Sequence, residues 1–108
     1  LPIEKTEACN NVYWVFGLVL DSRYFSGGAG SIIKKLLELG VGCRPYFYPL
    51  HKQPVLSGYK FRVESNCSNS DYLGDNGFYI PSGLGMSNLQ MEFVVEQVRS
   101  VLLGKLGG

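Results

Sequence analysis

The sequence is poor in the residues that most often bind metal ions or build disulfide frameworks. Among its 108 residues there is one histidine, and the three cysteines, Cys9, Cys43 and Cys67, are widely spaced. No CxxC or HxxxH spacing occurs, so a structural zinc site, which needs four ligands, is not expected. An odd number of distant cysteines also argues against a disulfide framework and favours a reducing compartment.

Excess charge of one sign and long hydrophobic runs are also lacking. Ten lysines and arginines against nine acidic residues give a net charge of +1, with no basic block, so nucleic-acid binding is not predicted. The longest apolar run, residues 12–20, is too short to span a bilayer as a helix. The first residues lack the pattern of a signal peptide. Because the chain starts at Leu1 rather than at methionine, we expect it to be trimmed or excerpted.

What the sequence does contain is enough apolar material for one core. Hydrophobic residues make up 45% of the chain and charged residues 18%, a balance typical of a globular domain rather than of a disordered chain. At this length we expect a single domain that covers residues 1–108.

Three segments are predicted to form strands. Residues 11–20 are rich in β-branched and aromatic side chains, and their nearly continuous apolar run favours a strand buried on both faces. Gly17 within it marks a bulge or a close backbone approach. Residues 41–48 predict a second strand, whose end Pro45 makes irregular, and residues 77–81 predict a short third one.

Two main helices are expected, and each has an apolar stripe. The first stripe is followed by Gly40, a typical residue just past a helix end, and is preceded by a glycine-rich turn, 27–30, predicted to be a loop. In the second helix Ser87 and Gln90 form a capping-box pattern. The stripes are Ile32, Ile33, Leu36, Leu37 and Leu39, and Leu89, Phe93, Val94, Val98, Val101 and Leu102.

The predicted fold is therefore a small α+β domain of order β-α-β-loop-β-α. Its three-stranded, mainly antiparallel sheet would carry the two main helices on one face. The loop 49–70 is long for a compact domain, which is typical of a functional or interfacial segment. One short helical turn is expected at 68–75, where Asp71 and Asp75 are read as solvated, and residues 104–108 are expected to fray.

Three segments together carry a family resemblance. They are Val12-Tyr-Trp14, Arg44-Pro-Tyr-Phe-Tyr-Pro-Leu-His-Lys-Gln-Pro54 and Tyr79-Ile-Pro-Ser-Gly-Leu-Gly85. In this order they resemble the DegT/DnrJ/EryC1/StrS sugar aminotransferases, which are pyridoxal-phosphate enzymes of fold type I, and are nearest to the perosamine-synthetase branch. The resemblance covers about Asn11 to Leu102.

The resemblance implies that the chain corresponds to the C-terminal small domain of such an enzyme. The parent would transfer an amino group to a keto-deoxy sugar nucleotide such as GDP-4-keto-6-deoxymannose. Pyridoxal phosphate is implied in the full-length parent, and no cofactor is expected on this chain alone, which would not be catalytic by itself. None of the lysines matches the family's Schiff-base motif: Lys5, Lys34, Lys35, Lys52, Lys60 and Lys105. A homodimer and a cytoplasmic location are also implied.

The resemblance and the side-chain chemistry together suggest a set of substrate-binding residues. The Arg44 guanidinium suits a phosphate, and His51 can hydrogen-bond a phosphate or sugar oxygen near neutral pH, with Lys52 adding charge. Tyr46 and Tyr48 are expected to face a cleft and Phe47 to enter the core, because strand residues alternate. Ser82 lies in a glycine-rich segment ahead of a helix. The ordinary alternatives are surface or core roles for each residue.

Two other functions remain open at this stage. The chain could be a stand-alone α+β module that binds a small ligand or dimerises, with help from Trp14. It could also be a non-catalytic remnant, for which an exposed apolar surface is expected where a large domain once docked. The order of the loop 49–70 is the feature that would separate an enzyme piece from a stand-alone module.

Overall fold

The computed structural model describes residues 1–56 and 66–106, apart from the side chains of residues 105 and 106. Its α+β architecture, with an antiparallel three-stranded sheet, confirms the predicted fold class, and within these residues there are three α-helices, where two main helices were predicted. In chain order the elements are β1 (Phe16–Val19), α1 (Gly28–Glu38), β2 (Arg44–Pro45), two 3-10 turns (Leu50–Lys52 and Pro54–Leu56), α2 (Ser68–Asn76), β3 (Gly77–Ile80) and α3 (Asn88–Leu106).

The sheet has β3 at its centre, with the strand order β1-β3-β2 and both pairings antiparallel. Tyr79 of β3 lies opposite Gly17 on one side and opposite Arg44 on the other. Side chains alternate along a strand, so these three residues share one face, whereas Phe78 points to the opposite face. We call the face of Gly17, Arg44 and Tyr79 the outer face.

The hydrophobic core lies between the other face of the sheet and the helices α1 and α3. Phe78, Ile32 and Leu36 are fully buried there, and Val94 and Val98 bring α3 against the same cluster. Both helices therefore cover one face of the sheet, as predicted. The remaining members of the cluster are Leu20, Phe25, Ala29 and Val41. Cys43 packs against it as a small apolar residue, and burial raises the pKa of its thiol.

The strands are shorter than predicted. β1 begins at Phe16 rather than at residue 11, because Tyr13 takes a left-handed backbone conformation with φ 48° that interrupts an extended chain. The Tyr13 N–H donates to Asn11 Oδ1 at 2.7 Å in that turn. The expectation that the strand is buried on both faces was also wrong, since Val19 is 42% exposed. β2 has two residues instead of eight, because the chain turns away from β3 after the hydrogen bond that the Tyr46 N–H donates to the Gly77 carbonyl and then enters the 3-10 turn at Leu50–Lys52.

The helix α1 starts earlier than the sequence indicated. The turn 27–30 was predicted to be a loop, yet the helix begins at Gly28, which has φ +61°. That conformation suits glycine, and the Gly28 N–H donates to the Phe25 carbonyl at 3.0 Å. The predicted helix end is confirmed: Gly40 follows the helix with φ +83°.

At α3 the capping box is confirmed, but the apolar stripe is only partly buried. The Ser87 N–H donates to Gln90 Oε1 at 2.9 Å, and the Gln90 N–H donates to Ser87 Oγ at 3.3 Å. Leu89 and Phe93 are exposed, contrary to the prediction. The helix continues to Leu106, so the expected fraying from residue 104 was wrong as far as 106.

The long loop is more structured than expected over the residues that the structure describes. Residues 50–52 and 54–56 form the two 3-10 turns, and the expected short turn at 68–75 is the nine-residue helix α2. The part of the predicted loop between residues 57 and 65 lies outside the described residues.

Candidate functional site

The outer face of the sheet is shaped by a tyrosine that lies across two glycines. Tyr46 follows β2, and its N–H donates to the Gly77 carbonyl at 3.1 Å. A methyl group at position 17 would overlap the Tyr46 hydroxyl, and one at position 77 would overlap the Tyr46 ring. A bulge or a close backbone approach was predicted at Gly17, and the structure instead places a side chain there, the phenol ring of Tyr46. Tyr46 is half-buried as a result.

Three further aromatic rings extend this face into solvent. Trp14 stacks on Phe47 with a centroid distance of 6.4 Å, and Phe47 lies 6.5 Å from Tyr79. Phe47 is 70% exposed, so the expectation that it enters the core was wrong. The chain leaves the sheet after the Tyr46 N–H, which is still bonded to β3, so strand alternation no longer governs the orientation of Phe47. Of the two tyrosines, Tyr46 packs on the sheet and Tyr48 is exposed.

Arg44 lies at the edge of the outer face, opposite Tyr79 in the register. It is exposed, and no ion pair links it to an acidic residue in the described part of the chain. An exposed guanidinium without a carboxylate partner remains able to bind an external anion such as a phosphate. Its role in substrate binding stays a prediction.

The structure brings His51 and Lys52 together on one carboxylate. His51 Nε2 lies 2.7 Å from Asp71 Oδ1, and Lys52 Nζ lies 3.0 Å from the same oxygen. The second acidic residue of α2, Asp75, is 3.9 Å from the ammonium. The His51 side chain is 19% exposed. Asp71 was read as solvated from the sequence, so sequence reasoning missed this cluster.

A close contact beside the cluster explains its position. Pro49 is buried, and a methyl group at Gly74 would lie 2.9 Å from Pro49 Cδ. Asp71, Gly74 and Asp75 are spaced i, i+3 and i+4, which places them on one face of α2. The segment 49–52 docks on that face. This spacing is the sequence signal that could have found the cluster, had residues 68–76 been predicted as a full helix.

Electrostatics keep Asp71 and Lys52 ionised. The hydrogen bond from Lys52, and secondarily the one from His51, hold the pKa of Asp71 below its usual value against an opposing desolvation effect. The same hydrogen bond to Asp71 raises the pKa of Lys52. Both groups are therefore charged at neutral pH, and the ammonium is compensated within the chain.

Ser82 lies away from this cluster. It is next to Trp14, one of the three aromatic rings described above. Its hydroxyl donates to the Trp14 carbonyl at 3.3 Å, which ties the segment after β3 to the segment before β1. Beside it is an open, mainly apolar cavity of about 450 Å³ between these segments and α3, lined by Tyr13, Phe16, Ile80, Pro81, Ser82, Gly83, Leu84, Met86, Met91, Val94 and Val95. The structure thus places Ser82 in a tethering hydrogen bond, while its predicted substrate contact stays a prediction.

The lysines in the described part of the chain do not fit a Schiff base with pyridoxal phosphate. Such a lysine needs a lowered pKa, commonly in a desolvated pocket. Lys5, Lys34 and Lys35 are exposed, and Lys52 is paired with Asp71 with its pKa raised. Within residues 1–56 and 66–106 there is also no group of three or more histidine, cysteine or acidic side chains arranged to hold a metal ion. No helix in this part of the chain is long and apolar enough to cross a membrane.

Comparison of the sequence with protein-family models identifies a family. The model of the DegT/DnrJ/EryC1/StrS aminotransferase family matches residues 1–99, which is most of the chain. No curated protein matches the sequence significantly.

Proposed function

The chain belongs to the DegT/DnrJ/EryC1/StrS aminotransferase family, and on that premise we propose that it works as the small-domain part of a pyridoxal-phosphate-dependent sugar aminotransferase. The family match over residues 1–99 carries the proposal. The proposed substrate is a keto-deoxy sugar nucleotide such as GDP-4-keto-6-deoxymannose, which the segment 44–54 suggests by its resemblance to the perosamine-synthetase branch. Because the described lysines do not fit a Schiff base, the cofactor is proposed to be held elsewhere in the enzyme, and this chain alone is not catalytic.

In this proposal the chain forms one wall of the sugar-nucleotide site. Arg44 has no acidic partner in the described part of the chain, and its fork of N–H groups matches a diphosphate. Tyr46 and Tyr48 border the wall, and aromatic rings suit the faces of bases and sugars. His51 supplies a ring nitrogen to the sugar end, and Ser82 holds the Trp14 backbone at the far edge.

Incomplete burial supports a role within a larger protein. Trp14, Phe47 and Leu84 are more than two-thirds exposed, and large exposed apolar areas typically mark interaction surfaces. The radius of gyration is 16.1 Å, compared with about 13 Å for a compact domain of this length. We propose that the rest of the enzyme covers this surface, and that the enzyme is a cytoplasmic homodimer.

The first test is the intact mass and near-visible absorbance of the protein purified from its native source. The proposal expects a chain much longer than 108 residues that is yellow from bound pyridoxal phosphate. A colourless chain of about this size would contradict the catalytic context and would favour the stand-alone module or the remnant. Light scattering on the same sample measures whether it is a dimer.

The second test addresses the wall itself in that native enzyme. Replacing Arg44 with alanine is expected to lower kcat/KM for the sugar nucleotide by about 10- to 100-fold, the usual range for a lost charge-assisted hydrogen bond. Lys34→Ala is the matched control, because it removes one exposed cation on the outside of α1. Equal activity of the two variants would remove Arg44 from the proposed site.

A further inference from the structure

The docking of the segment 49–52 on α2 determines which ring nitrogen of His51 carries the proton. Pro49 lies against Gly74, His51 and Lys52 both contact Asp71, and the Lys52 ammonium also lies 3.9 Å from Asp75. A carboxylate can only accept hydrogen bonds, so His51 Nε2 must carry the proton that it donates to Asp71. In the neutral imidazole the other nitrogen, Nδ1, is then an acceptor.

The charge around the histidine also decides what it can bind. Besides His51 itself, the ionised side chains of the cluster are the ammonium of Lys52 and the carboxylates of Asp71 and Asp75. One positive charge therefore faces two negative ones. The Lys52 charge is already compensated, and the cluster offers a diphosphate no net attraction. A neutral partner with a proton to donate, such as a sugar hydroxyl, fits both this charge balance and an acceptor at Nδ1.

We propose that Asp71 is a positioning residue that holds His51 in the Nε2–H tautomer, so that Nδ1 accepts a hydrogen bond from a hydroxyl group of the sugar and not from the phosphate end of the substrate. The choice of a sugar hydroxyl as the ligand rests on the proposed function; the fixed tautomer does not. Asp71 acts through His51 and Lys52 and itself touches no substrate in this arrangement. In this arrangement Arg44 binds the phosphate end of the substrate.

The tautomer is tested without any ligand. His51 is the only histidine, so a long-range ¹H–¹⁵N spectrum of the full 108-residue chain contains one imidazole. At a pH well above the range in which imidazoles titrate, the unmodified chain should show almost entirely the Nε2–H form. Asp71→Ala should move the ring toward the mixture of tautomers found in free histidine, and Asp71→Glu should restore the Nε2–H form at least in part.

Asp71→Asn provides the isosteric variant should the alanine variant fail to fold. An amide can donate or accept, so both tautomers are expected there. Backbone amide spectra report whether each variant keeps the fold. An unmodified chain with mixed tautomers, or a tautomer ratio that stays the same in both Asp71→Ala and Asp71→Asn with the fold intact, would overturn the positioning role.

The hydroxyl contact is tested on the native enzyme with two probes, GDP and GDP-mannose. His51→Ala should weaken GDP-mannose by about fivefold, the usual effect of one neutral hydrogen bond, and leave GDP unchanged. Arg44→Ala should weaken both probes. An equal loss of both in His51→Ala would place the histidine at the phosphates and overturn the hydroxyl role. If the unmodified enzyme binds neither probe, the proposed function and the hydroxyl role both fail, while the spectrum decides separately on Asp71.

Discussion

At the scale of single residues, the position of Tyr46 depends on what its neighbours lack. Its ring lies where the side chains of residues 17 and 77 would project, and both residues are glycine. The ring thus buries apolar area against the backbone of the sheet. Tyr46 therefore covers the glycines at the centre of the outer face, and the rings of Trp14, Phe47 and Tyr79 contact one another beside it.

We predict that Gly17→Ala destabilises the chain by about 1–3 kcal/mol, the usual cost of inserting a methyl group into a well-packed site. The new Cβ would overlap the Tyr46 hydroxyl and press on its rigid ring, so the ring must leave the sheet. Urea unfolding of the full chain measures the loss.

Gly42→Ala is the matched control for that change. A methyl group at position 42 has no heavy atom within 4 Å, so its effect should be within a few tenths of a kcal/mol. If both variants lose the same stability, the close approach of Tyr46 to Gly17 does not govern the result. If Gly17→Ala costs as much in a Tyr46→Ala background, the clash is with something other than the ring.

At the scale of elements, the first turn of α1 contains glycines with opposite requirements. Gly28 has φ +61°, and a methyl group there would lie 2.8 Å from the Asp75 carbonyl oxygen. Gly30 is exposed within the same helix, and a methyl group there would meet nothing within 4 Å. Gly28 is needed for its left-handed conformation. Gly30 is not needed for its conformation, and it lowers the stability of the helix relative to alanine.

We therefore predict opposite signs for two identical substitutions. Gly30→Ala should stabilise the chain by about 1 kcal/mol, because alanine has the higher helix propensity. Gly28→Ala should destabilise it by at least about 1 kcal/mol, because a left-handed conformation is costly for alanine and Asp75 obstructs the new methyl group. Thermal and urea unfolding of both variants measure the difference. Two changes of the same sign would mean that the turn is not formed as described.

The helices and strands also show which structural features can be predicted from local sequence patterns. The capping box of α3 and the part of the α1 stripe that enters the core, Ile32, Ile33 and Leu36, were predictable, because both depend on residues within one or two turns of each other. Leu37 and Leu39 of the predicted stripe are exposed. The interruption of the predicted strand at Tyr13 was not predictable, since nothing in a run of β-branched and aromatic residues indicates a left-handed turn. The exposure of Phe93 was not predictable either, because both faces of α3 carry apolar side chains and only tertiary packing selects one.

The candidate site was predictable in its residues but not in their arrangement. The segment 44–54 drew attention to His51 and Lys52, while their partner Asp71 lies about twenty residues further along the chain. That pairing depends on α2 docking beside the segment, through the contact of Pro49 with Gly74. Contacts of such sequence separation leave no periodic signal in a single sequence.

At the scale of the whole molecule, we predict that stability falls as the pH drops from about 4 toward 2. The hydrogen bond from Arg23 lowers the pKa of Asp21 from 3.8 to about 2, and the pKa of Asp71 is also lowered. At a pH between the pKa of a carboxyl in the folded chain and its ordinary pKa, the unfolded chain binds more protons than the folded one. The stabilisation is therefore present above the ordinary pKa and is lost as the pH falls through the pKa of the folded state.

The variant Asp21→Asn/Asp71→Asn should be less stable than the parent at pH near 6 and should converge with it as the pH approaches 2. Glu7→Gln, which removes a carboxylate with no ion pair in the described part of the chain, should follow the parent's pH dependence. Urea unfolding across this range measures all three, and a double variant that also keeps the parent's slope would show that neither carboxylate is linked to folding.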